Sequence, residues 1–372
     1  MSKSVALLLV LVFLMATYVI TVQPIKAESR TIVVPDDYPT IDSAIGNATA
    51  GDIIFFKSGT HEGPIDQTLI IDKNLSLIGE NAESTIINLH PKFNVTRILT
   101  QEFYSYTDAI AINANDVKLV NLTFTFMGNI RANGNRVHIE GNKITSRSTV
   151  TGLILYGSNC NVTNNAVLGQ INLGGSSNFV SRNGFYSLIL QSSDENIIDS
   201  NGFKYLQIDS SNNNTISRNN ISYENVPDVI DIRNSTNNVF HGNRVEGVYW
   251  NTNLRLGFQA QNNTFYGNAF IGEDELDELV SADATAYGNF WDNGVYGNFW
   301  SNYNGTDAFG DGIGDIPYII DGNNQDRYPL MKPLSEGEIF ERPFPTTLVV
   351  TLVVTLAVIG VGLLVYFKKR NH

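Results

Sequence analysis

The chain has 372 residues and a formal net charge of −13 at pH 7, and this acidic balance argues against a nucleic-acid partner, which requires a basic surface that neutralises phosphates. Its single cysteine excludes an intramolecular disulfide framework and any zinc or iron–sulfur site built from several cysteines. Apolar residues make up 42 % of the chain, enough for a sizeable core, but the 44 Asn and 31 Gly are poor helix formers and argue against a mainly helical fold.

The N-terminus has the pattern of an export signal. Lys3 precedes an apolar run over residues 5–20, and polar residues follow that run. A basic residue before such a run is typical of a secretory signal peptide. We expect cleavage after Ala27, so that residues 1–27 are a signal peptide; an uncleaved anchor is the alternative.

The exported part begins with a predicted helix. Ile41, Ala44, Ile45 and Ala48 stand at helical spacing after a proline, and an Ile-Ile-Phe-Phe strand follows within residues 51–59. The helix is a candidate cap for the repeat that comes next, since the open end of a solenoid must be covered. Residues 51–59 are then the first coil.

An internal repeat fills the middle of the chain. Two asparagines stand five positions apart, the pair recurs every 18–25 residues, and a short aliphatic strand precedes each pair. Such strands cannot bury their faces alone, but they can when stacked in parallel. The irregular interval favours a right-handed parallel β-helix with stacked Asn side chains at tight corners, rather than a propeller, whose blades need about 40 residues. The pairs are Asn178/Asn183, Asn196/Asn201, Asn214/Asn219, Asn238/Asn243 and Asn263/Asn268, and the second position continues upstream as Asn165, Asn142 and Asn121.

The lone cysteine lies inside this pattern. Cys160 occupies the first Asn position of the repeat that contains Asn165. We therefore expect a packed thiol rather than a reactive one.

Polar side chains form columns when the repeats are aligned. If the strands alternate regularly, these columns face outward, with Asp209 beside Arg233 and Gln207 beside Asp231. One interpretation is a sugar-binding patch of these four residues with Gln191, in which Asp209, Asp231 and Arg233 are candidate catalytic residues, because glycosidases need two carboxylates about 5–10 Å apart. The alternative is a solvated sheet face with one cross-strand ion pair. Five residues before the first Asn stand Gln191, Asp209, Arg233 and Phe258; seven before stand Gln207, Asp231 and Leu256; three after it stand Glu140, Thr163, Ser181, Asp199, Ser217, His241 and Tyr266.

The C-terminal part of the domain repeats an aromatic motif. Tyr-Gly-Asn-Phe-Trp occurs at residues 287–291 and again at 296–300. Exposed aromatic rings stack on sugars, whereas buried ones cap the open end of a solenoid. Both roles stay open, and capping is the favoured one.

An Asp/Gly-rich loop follows. Asp307, Asp311 and Asp315 occupy positions one, five and nine of a calcium-loop pattern, with the carbonyl of Ile313 at position seven. Phe309 occupies the third ligand position, and no Glu stands at the twelfth. The sequence predicts a weak calcium site at these four residues, with a metal-free turn as the alternative.

A second apolar segment lies near the C-terminus. Residues 332–345 contain three prolines and form a predicted stalk, and residues 346–367 carry no charge. A membrane-spanning helix needs about 20 such residues. The basic residues within 368–372 predict a cytoplasmic tail; a buried core helix is the alternative.

Several of these segments resemble the NosD-like right-handed β-helix repeat proteins. The resemblance lies in Thr31-Ile-Val-Val-Pro-Asp-Asp-Tyr-Pro-Thr, Ala50-Gly-Asp-Ile-Ile-Phe-Phe-Lys-Ser-Gly, Asn74-Leu-Ser-Leu-Ile-Gly and the closing run from Gly297 to Met331. It implies a β-helix over most of the exported part, within a wider group of carbohydrate-binding proteins and sugar hydrolases. It also implies extracytoplasmic copper handling, although the five His are scattered along the chain and a copper site prefers clustered ligands.

Together these features predict an all-β, single-pass membrane protein. Residues 28–331 form the right-handed parallel β-helix outside the cytoplasm, including a capping segment at 287–331, and a C-terminal transmembrane helix anchors it in the cell membrane. The favoured function is binding of polysaccharide or glycoconjugate at the cell surface, or service as a structural rod. The alternatives are a polysaccharide-modifying lyase, hydrolase or epimerase, and NosD-like copper handling.

Overall fold

The computed structural model describes residues 29–98, 101–146, 151–223, 228–247, 252–272 and 278–335. The predicted signal peptide, transmembrane run and cytoplasmic tail lie outside the described residues, as does most of the stalk. Within the described residues, no helix is long and apolar enough to cross a membrane. The domain boundaries at the two ends therefore stay predictions.

The described chain winds through stacked coils, and each central coil contributes one strand to each of three parallel sheets. Sheet 1 has eleven strands in the described residues, and its first strand pairs with the second with Thr31 opposite Ile53. Parallel pairing then continues in chain order to the last strand. The strands of sheet 1 are Thr31–Val34, Ile53–Phe56, Ser76–Gly79, Lys118–Val120, His138–Glu140, Asn161–Thr163, Phe179–Ser181, Ile197–Asp199, Thr215–Ser217, Val239–His241 and Thr264–Tyr266.

Within the described residues, sheet 2 consists of two five-stranded ladders. Single bridges from Gly184 to Ala166 and from Gly184 to Gly202 join the two ladders. The first ladder contains Gly59–Ile65, Thr85–His90, Thr123–Phe126, Lys143–Ser146 and Ala166–Leu168. The second contains Gly202–Phe203, Asn220–Tyr223, Arg244–Gly247, Ala269–Ile271 and Phe299–Trp300.

Sheet 3 has ten parallel strands in the described residues. The six aliphatic strands that the repeat predicts, from 153–155 to 254–256, all fall inside observed strands of this sheet. The strands are Leu69–Ile71, Ile110–Ile112, Ile130–Ala132, Thr151–Leu155, Gln170–Leu173, Ser187–Gln191, Tyr205–Asp209, Asp228–Arg233, Thr252–Leu256 and Val280–Ala282. The prediction of an all-β, parallel β-helix is thereby confirmed.

Two antiparallel hairpins lie outside these sheets. One pairs Phe93–Ile98 with Gln101–Tyr106, and the other pairs Tyr318–Ile319 with Gln325–Asp326. The second hairpin belongs to the segment that closes the C-terminal end.

The predicted N-terminal cap is present as helix α1, Ile41–Asn47. Thr40 caps it by accepting a hydrogen bond from the backbone N–H of Ser43 at 3.3 Å, and its apolar face is buried. At the other end, the ammonium group of Lys73 donates to the carbonyls of Ile45 and Ala48, each at 3.0 Å. A positive charge at these C-terminal carbonyls interacts favourably with the helix dipole and fixes the cap on the first coils.

Aromatic rings close the other end of the core. Phe240 stacks on Phe265 with centroids 4.9 Å apart, and Phe265 stacks on Trp291 at 4.7 Å. Trp300 is fully buried and stacks on Tyr318 at 4.4 Å. Both tryptophans of the repeated motif thus cap the solenoid, as the favoured interpretation of the motif expects.

The asparagines form two buried ladders. In each ladder the side-chain oxygen of one Asn accepts the backbone N–H of the ladder residue one coil earlier, at 2.8–3.1 Å. Unpaired amides in this position would be costly because water cannot reach them. The first ladder runs from Cys160 through Asn178, Asn196, Asn214, Asn238 and Asn263 to Asn289, and the second from Leu122 through Asn142, Asn165, Asn183, Asn201, Asn219, Asn243, Asn268 and Asn298 to Asp326.

One expectation about these corners is wrong. Asn121 is not a ladder member; its φ of 55° makes it the left-handed residue of the turn, and Leu122 donates to Asn142 instead. More generally, the left-handed residue stands one position before the ladder Asn, as Arg218 before Asn219 with φ of 52°. The Asn side chains are retained for their amides rather than for tolerance of positive φ.

Cys160 is packed, as predicted. It is 2 % exposed, burial raises the pKa of its thiol, and its sulfur lies 3.6 Å from the carbonyl oxygen of Gly134. That carbonyl is where a ladder amide would donate, since Asn214 donates to the corresponding Ser193 carbonyl at 3.0 Å.

We expect Cys160→Asn to extend the first ladder by one step and to raise the free energy of unfolding by about 1 kcal/mol. Urea unfolding of this variant beside Cys160→Leu measures the effect. The account requires the asparagine variant to be the more stable of the two, and equal destabilisation by both changes would contradict it.

Candidate functional site

The outer face of sheet 3 carries the predicted site residues. The observed register places Gln191 opposite Asp209 and Asp209 opposite Arg233, and it places Gln207 opposite Asp231. The five residues predicted to form a patch thus lie on three adjacent strands, about 4.8 Å apart from strand to strand.

The two outward columns continue beyond these strands. In each strand, the residue of the first column comes directly after the last inward-facing residue. The residue of the second column stands two positions before that of the first column. The first contains Tyr156, Gly174, Gln191, Asp209, Arg233 and Gly257; the second contains Ile154, Asn172, Ile189, Gln207, Asp231 and Arg255.

The coil that contains the strand Thr252–Leu256 departs from the predicted columns. Arg255 rather than Leu256 lies opposite Asp231, and Leu256 points into the core with no exposed surface. Phe258 accordingly falls in the turn after Gly257. The cause is the turn before Asn263, which is one residue longer than the turn before Asn238.

Asp231 and Arg233 form one fixed unit. The guanidinium of Arg233 donates from Nε to Asp231 Oδ1 at 3.0 Å and makes a second, shorter contact through Nη2 to Oδ2. This hydrogen bonding raises the pKa of Arg233. The ion pair therefore joins two residues of the same strand, not Asp209 and Arg233 across strands, and the Asp231 side chain is only 3 % exposed. Asp231 positions Arg233 and is poorly placed to take a proton from a substrate.

Asp209 is the accessible carboxylate of the patch. Its Oδ1 accepts hydrogen bonds from the Ser210 hydroxyl at 3.0 Å and from the Asn234 amide at 3.1 Å, both at the surface. A carboxylate has about four acceptor positions, so lone pairs remain for further donors. With the amides of Gln191 and Gln207, the patch offers donors and acceptors side by side, the combination that sugar hydroxyls match.

Exposed aromatic rings flank the patch; the sequence prediction includes Phe258 as a column member but lacks Tyr156 and Tyr186. Tyr156 is 54 % exposed, and its ring lies over Gly174, where an added Cβ would come within 2.7 Å of the ring. The Arg131 guanidinium lies 5.4 Å from the centroid of this ring. Tyr186 is 47 % exposed and Phe258 54 %. In the sequence, the signal that identifies these residues is an aromatic side chain within two residues of either end of an aliphatic strand of the repeat.

The Asp/Gly-rich loop turns its carboxylates onto its own backbone. Asp307 accepts hydrogen bonds from the N–H groups of Gly310 at 2.6 Å and Gly312 at 2.9 Å. Calcium binding at this loop stays a prediction. Asp311 accepts from the N–H of Ile313 at 3.0 Å, and Asp315 from that of Ala308 at 2.7 Å.

The described histidines lie apart from one another. Within the described ranges, no group of three or more His, Cys, Asp and Glu side chains could hold a metal ion. His372 lies outside those ranges. The histidines contact the Lys57 carbonyl (His61, 2.8 Å), Glu62 (His90, 2.8 Å), Glu140 (His138, 2.7 Å) and the ring of Tyr266 (His241, stacked at 5.2 Å).

A family model described as periplasmic copper-binding protein (NosD) matches residues 84–305, more than half of the chain. The chain belongs to the NosD family. The matched residues of this NosD protein span the coils that carry both columns of sheet 3. Its described side chains do not fit a copper site of clustered ligands.

Solved β-helix structures are distantly similar to this NosD protein. The Dettilon tailspike protein is 14 % identical, with 73 % of this chain and 68 % of that chain covered and a TM-score of 0.43. A PL6 family alginate lyase is 11 % identical, with 85 % and 59 % covered and a TM-score of 0.36. A PL6 family polysaccharide lyase from Pseudopedobacter saltans is 10 % identical, with 86 % and 94 % covered and a TM-score of 0.27. Because these TM-scores are low, the three similarities carry no information about the function of this chain. No curated protein matches the chain.

Proposed function

We propose that the β-helix domain binds a polysaccharide or glycoconjugate chain that lies along the outer face of sheet 3, parallel to the stack of coils. One observation carries the proposal: the outward columns present amide and charged side chains on neighbouring coils, Gln191, Gln207, Asp209 and Arg233, with the exposed ring of Tyr156 two coils before Gln191 in the same column. Aromatic rings stack on the apolar faces of sugars, and the neighbouring amides and carboxylate satisfy hydroxyl groups.

The spacing of the columns suits an extended glycan. Successive coils rise by about 4.8 Å, which is comparable with the length of one pyranose unit in an extended chain. Each sugar would therefore meet the side chains of about one coil. From Tyr156 to Arg233 the first column spans five coils, so the face accommodates several sugar units.

The geometry favours binding over cleavage. Asp231 is held by Arg233 and is almost fully buried, which leaves Asp209 as the accessible carboxylate of the candidate catalytic set. A lyase, hydrolase or epimerase remains the competing function, and assaying every bound glycan for chain shortening distinguishes it. The predicted export signal and anchor would hold this face at the cell surface.

A glycan array with the full-length protein in mild detergent tests the proposal. We expect binding to at least one glycan class, and we expect Tyr156→Ala to weaken it about tenfold, since loss of an aromatic contact costs on the order of 1 kcal/mol. Phe93→Ala is the matched control, because Phe93 is 53 % exposed in the hairpin that lies outside the three sheets. Equal binding by the wild type and Tyr156→Ala would contradict the proposal, and chain shortening that Asp209→Asn abolishes would make the protein an enzyme. Repeating the array with a calcium chelator measures whether the 307–315 loop contributes.

A further inference from the structure

A groove lies along the corner between sheets 1 and 2, separate from the face of sheet 3. Its volume is about 740 Å³, and Arg182, Arg218 and Arg244 line it together with Asp199 and Gly202. Leu334 lines the groove near Gly267, where an added Cβ would lie 3.2 Å from the Leu334 side chain. Three guanidinium groups in one groove stand out in a chain whose net charge is −13.

The turns of the β-helix orient two of these arginines. Arg182 and Arg218 each occupy the left-handed position before a ladder asparagine, with φ of 55° and 52°. They are two coils apart, about 10 Å along the stack. Arg244 begins a strand of sheet 2 in the next coil.

The ion pairs inside the groove leave one arginine in excess. Arg218 contacts Asp199 at 2.5 Å, and Arg244 contacts Glu246 at 3.0 Å. Arg182 is exposed and makes no ion pair with any residue that the structure describes. The groove therefore has a net positive charge, and the exposed guanidinium of Arg182 is available to a ligand.

Asp199 holds Arg218 in place. The carboxylate also accepts hydrogen bonds from the hydroxyls of Ser217 at 2.7 Å and Ser200 at 3.1 Å. Burial alone would raise the pKa of Asp199, but the hydrogen bonds from Arg218 and the two serines outweigh it and hold the pKa below its ordinary value. The carboxylate stays ionised, so the guanidinium is oriented before a ligand arrives.

The groove is open at Gly202, which lines it. A Cβ added at Gly202 would meet no atom within 4 Å, and this residue has no positive φ. A larger side chain at Gly202 would therefore fill the groove without displacing the backbone. This makes the groove testable without changing any arginine.

We propose that this groove binds the carboxylate groups of an acidic, uronate-containing polysaccharide. The guanidinium fork matches a carboxylate in a bidentate manner, and an extended uronate chain presents one carboxylate per sugar, a repeat comparable with the coil spacing. Nucleic acids, with one phosphate per 3.4 Å of each strand, require a longer basic surface than three arginines provide. The site is independent of the glycan face on sheet 3.

Calorimetric titration of the full-length protein tests this second site. The probes are an oligogalacturonate and a neutral galactan oligomer of equal length. We expect the oligogalacturonate to bind, with affinity that falls as salt is raised, and the neutral oligomer not to bind in the groove. Arg182→Gln and Gly202→Phe should each weaken oligogalacturonate binding about tenfold or more.

Matched controls separate the groove from the rest of the molecule. Arg136→Gln removes an exposed, ion-paired arginine elsewhere, and Gly322→Phe adds a ring at another open glycine, so both should bind as the wild type does. Loss of oligogalacturonate binding only in Tyr156→Ala would place the ligand on sheet 3 and overturn the groove proposal while leaving the first one intact. Absence of oligogalacturonate binding, or oligogalacturonate binding that both Arg182→Gln and Gly202→Phe leave unchanged, would also overturn it.

Discussion

Replacing Asn201 by alanine should lower the free energy of unfolding by about 3–5 kcal/mol, because several buried polar groups would lose their partners at once. The side chain of Asn201 accepts from the Asn183 backbone and side-chain amides at 2.9 and 3.0 Å. It donates to the Val180 carbonyl at 2.9 Å and to the side chain of Asn219 at 3.0 Å. Asn201 is 2 % exposed, so water cannot replace these contacts.

Asn133→Ala is the control for this prediction. Asn133 is exposed and uses its side chain for one hydrogen bond, to Asn113 at 2.8 Å. We expect this change to cost less than about 1 kcal/mol. Urea unfolding followed by circular dichroism measures both variants, and similar losses in the two would show that the ladder is not the main polar support of the fold.

Lowering the pH from about 7 to about 5 should stabilise the protein through Asp326. This residue has no exposed surface, and burial raises its pKa from 3.8 to about 6 despite hydrogen bonds from the N–H of Asn298 at 2.6 Å and from the indole of Trp300 at 2.9 Å. The folded protein therefore binds a proton more tightly than the unfolded chain does. The free energy of unfolding then falls as pH rises from about 4 to 6, by on the order of 3 kcal/mol in total, and is level above the folded-state pKa.

His241 opposes this stabilisation between about pH 7 and 5, because burial lowers its pKa and its protonation therefore favours the unfolded chain. A further opposite contribution comes at lower pH. The pKa values of Asp52, Asp199 and Asp292 are lowered in the fold, so the stability that these carboxylates provide is lost as they are protonated below about pH 4. We expect maximal stability between these two ranges. Urea unfolding over a pH series measures the profile.

Asp326→Asn tests the assignment of this pH dependence. The amide oxygen can still accept from Asn298 as other ladder asparagines do, whereas the contact of Asp326 Oδ1 with the N–H of Tyr328 at 3.0 Å is lost. The variant should fold and should show no rise in stability between about pH 7 and 5. An unchanged rise in the variant would assign the titration to another group.

The parallel β-helix is predictable from the sequence alone because the residues that repeat have the same structural role in every coil. The ladder asparagines satisfy buried amides at each corner, and the strands around Leu188 and Leu206 provide the interior. The capping helix is predictable for the same reason, since Ile41 and Ala44 must face the first coil. These features depend on local spacing.

Other features depend on turn length or on contacts distant in sequence. One extra turn residue moves Arg255 into the column where alignment places Leu256. The burial of Asp231 depends on how its surroundings pack, which residue spacing does not report. Asp326 ends a ladder of asparagines 28 residues after Asn298 without any repeat motif of its own. The arginine groove arises only when turns from several coils are stacked.

Covalent footprinting of the full-length protein with a glycan bound from the array tests the central claim most directly. Carbene labelling followed by mass spectrometry reports the accessibility of individual side chains. We predict protection of Tyr156, Tyr186 and Phe258 on and beside sheet 3, with labelling of Phe309 and Tyr287 unchanged. Protection confined to other surfaces, with these three rings labelled as in the free protein, would contradict a glycan-binding face on sheet 3.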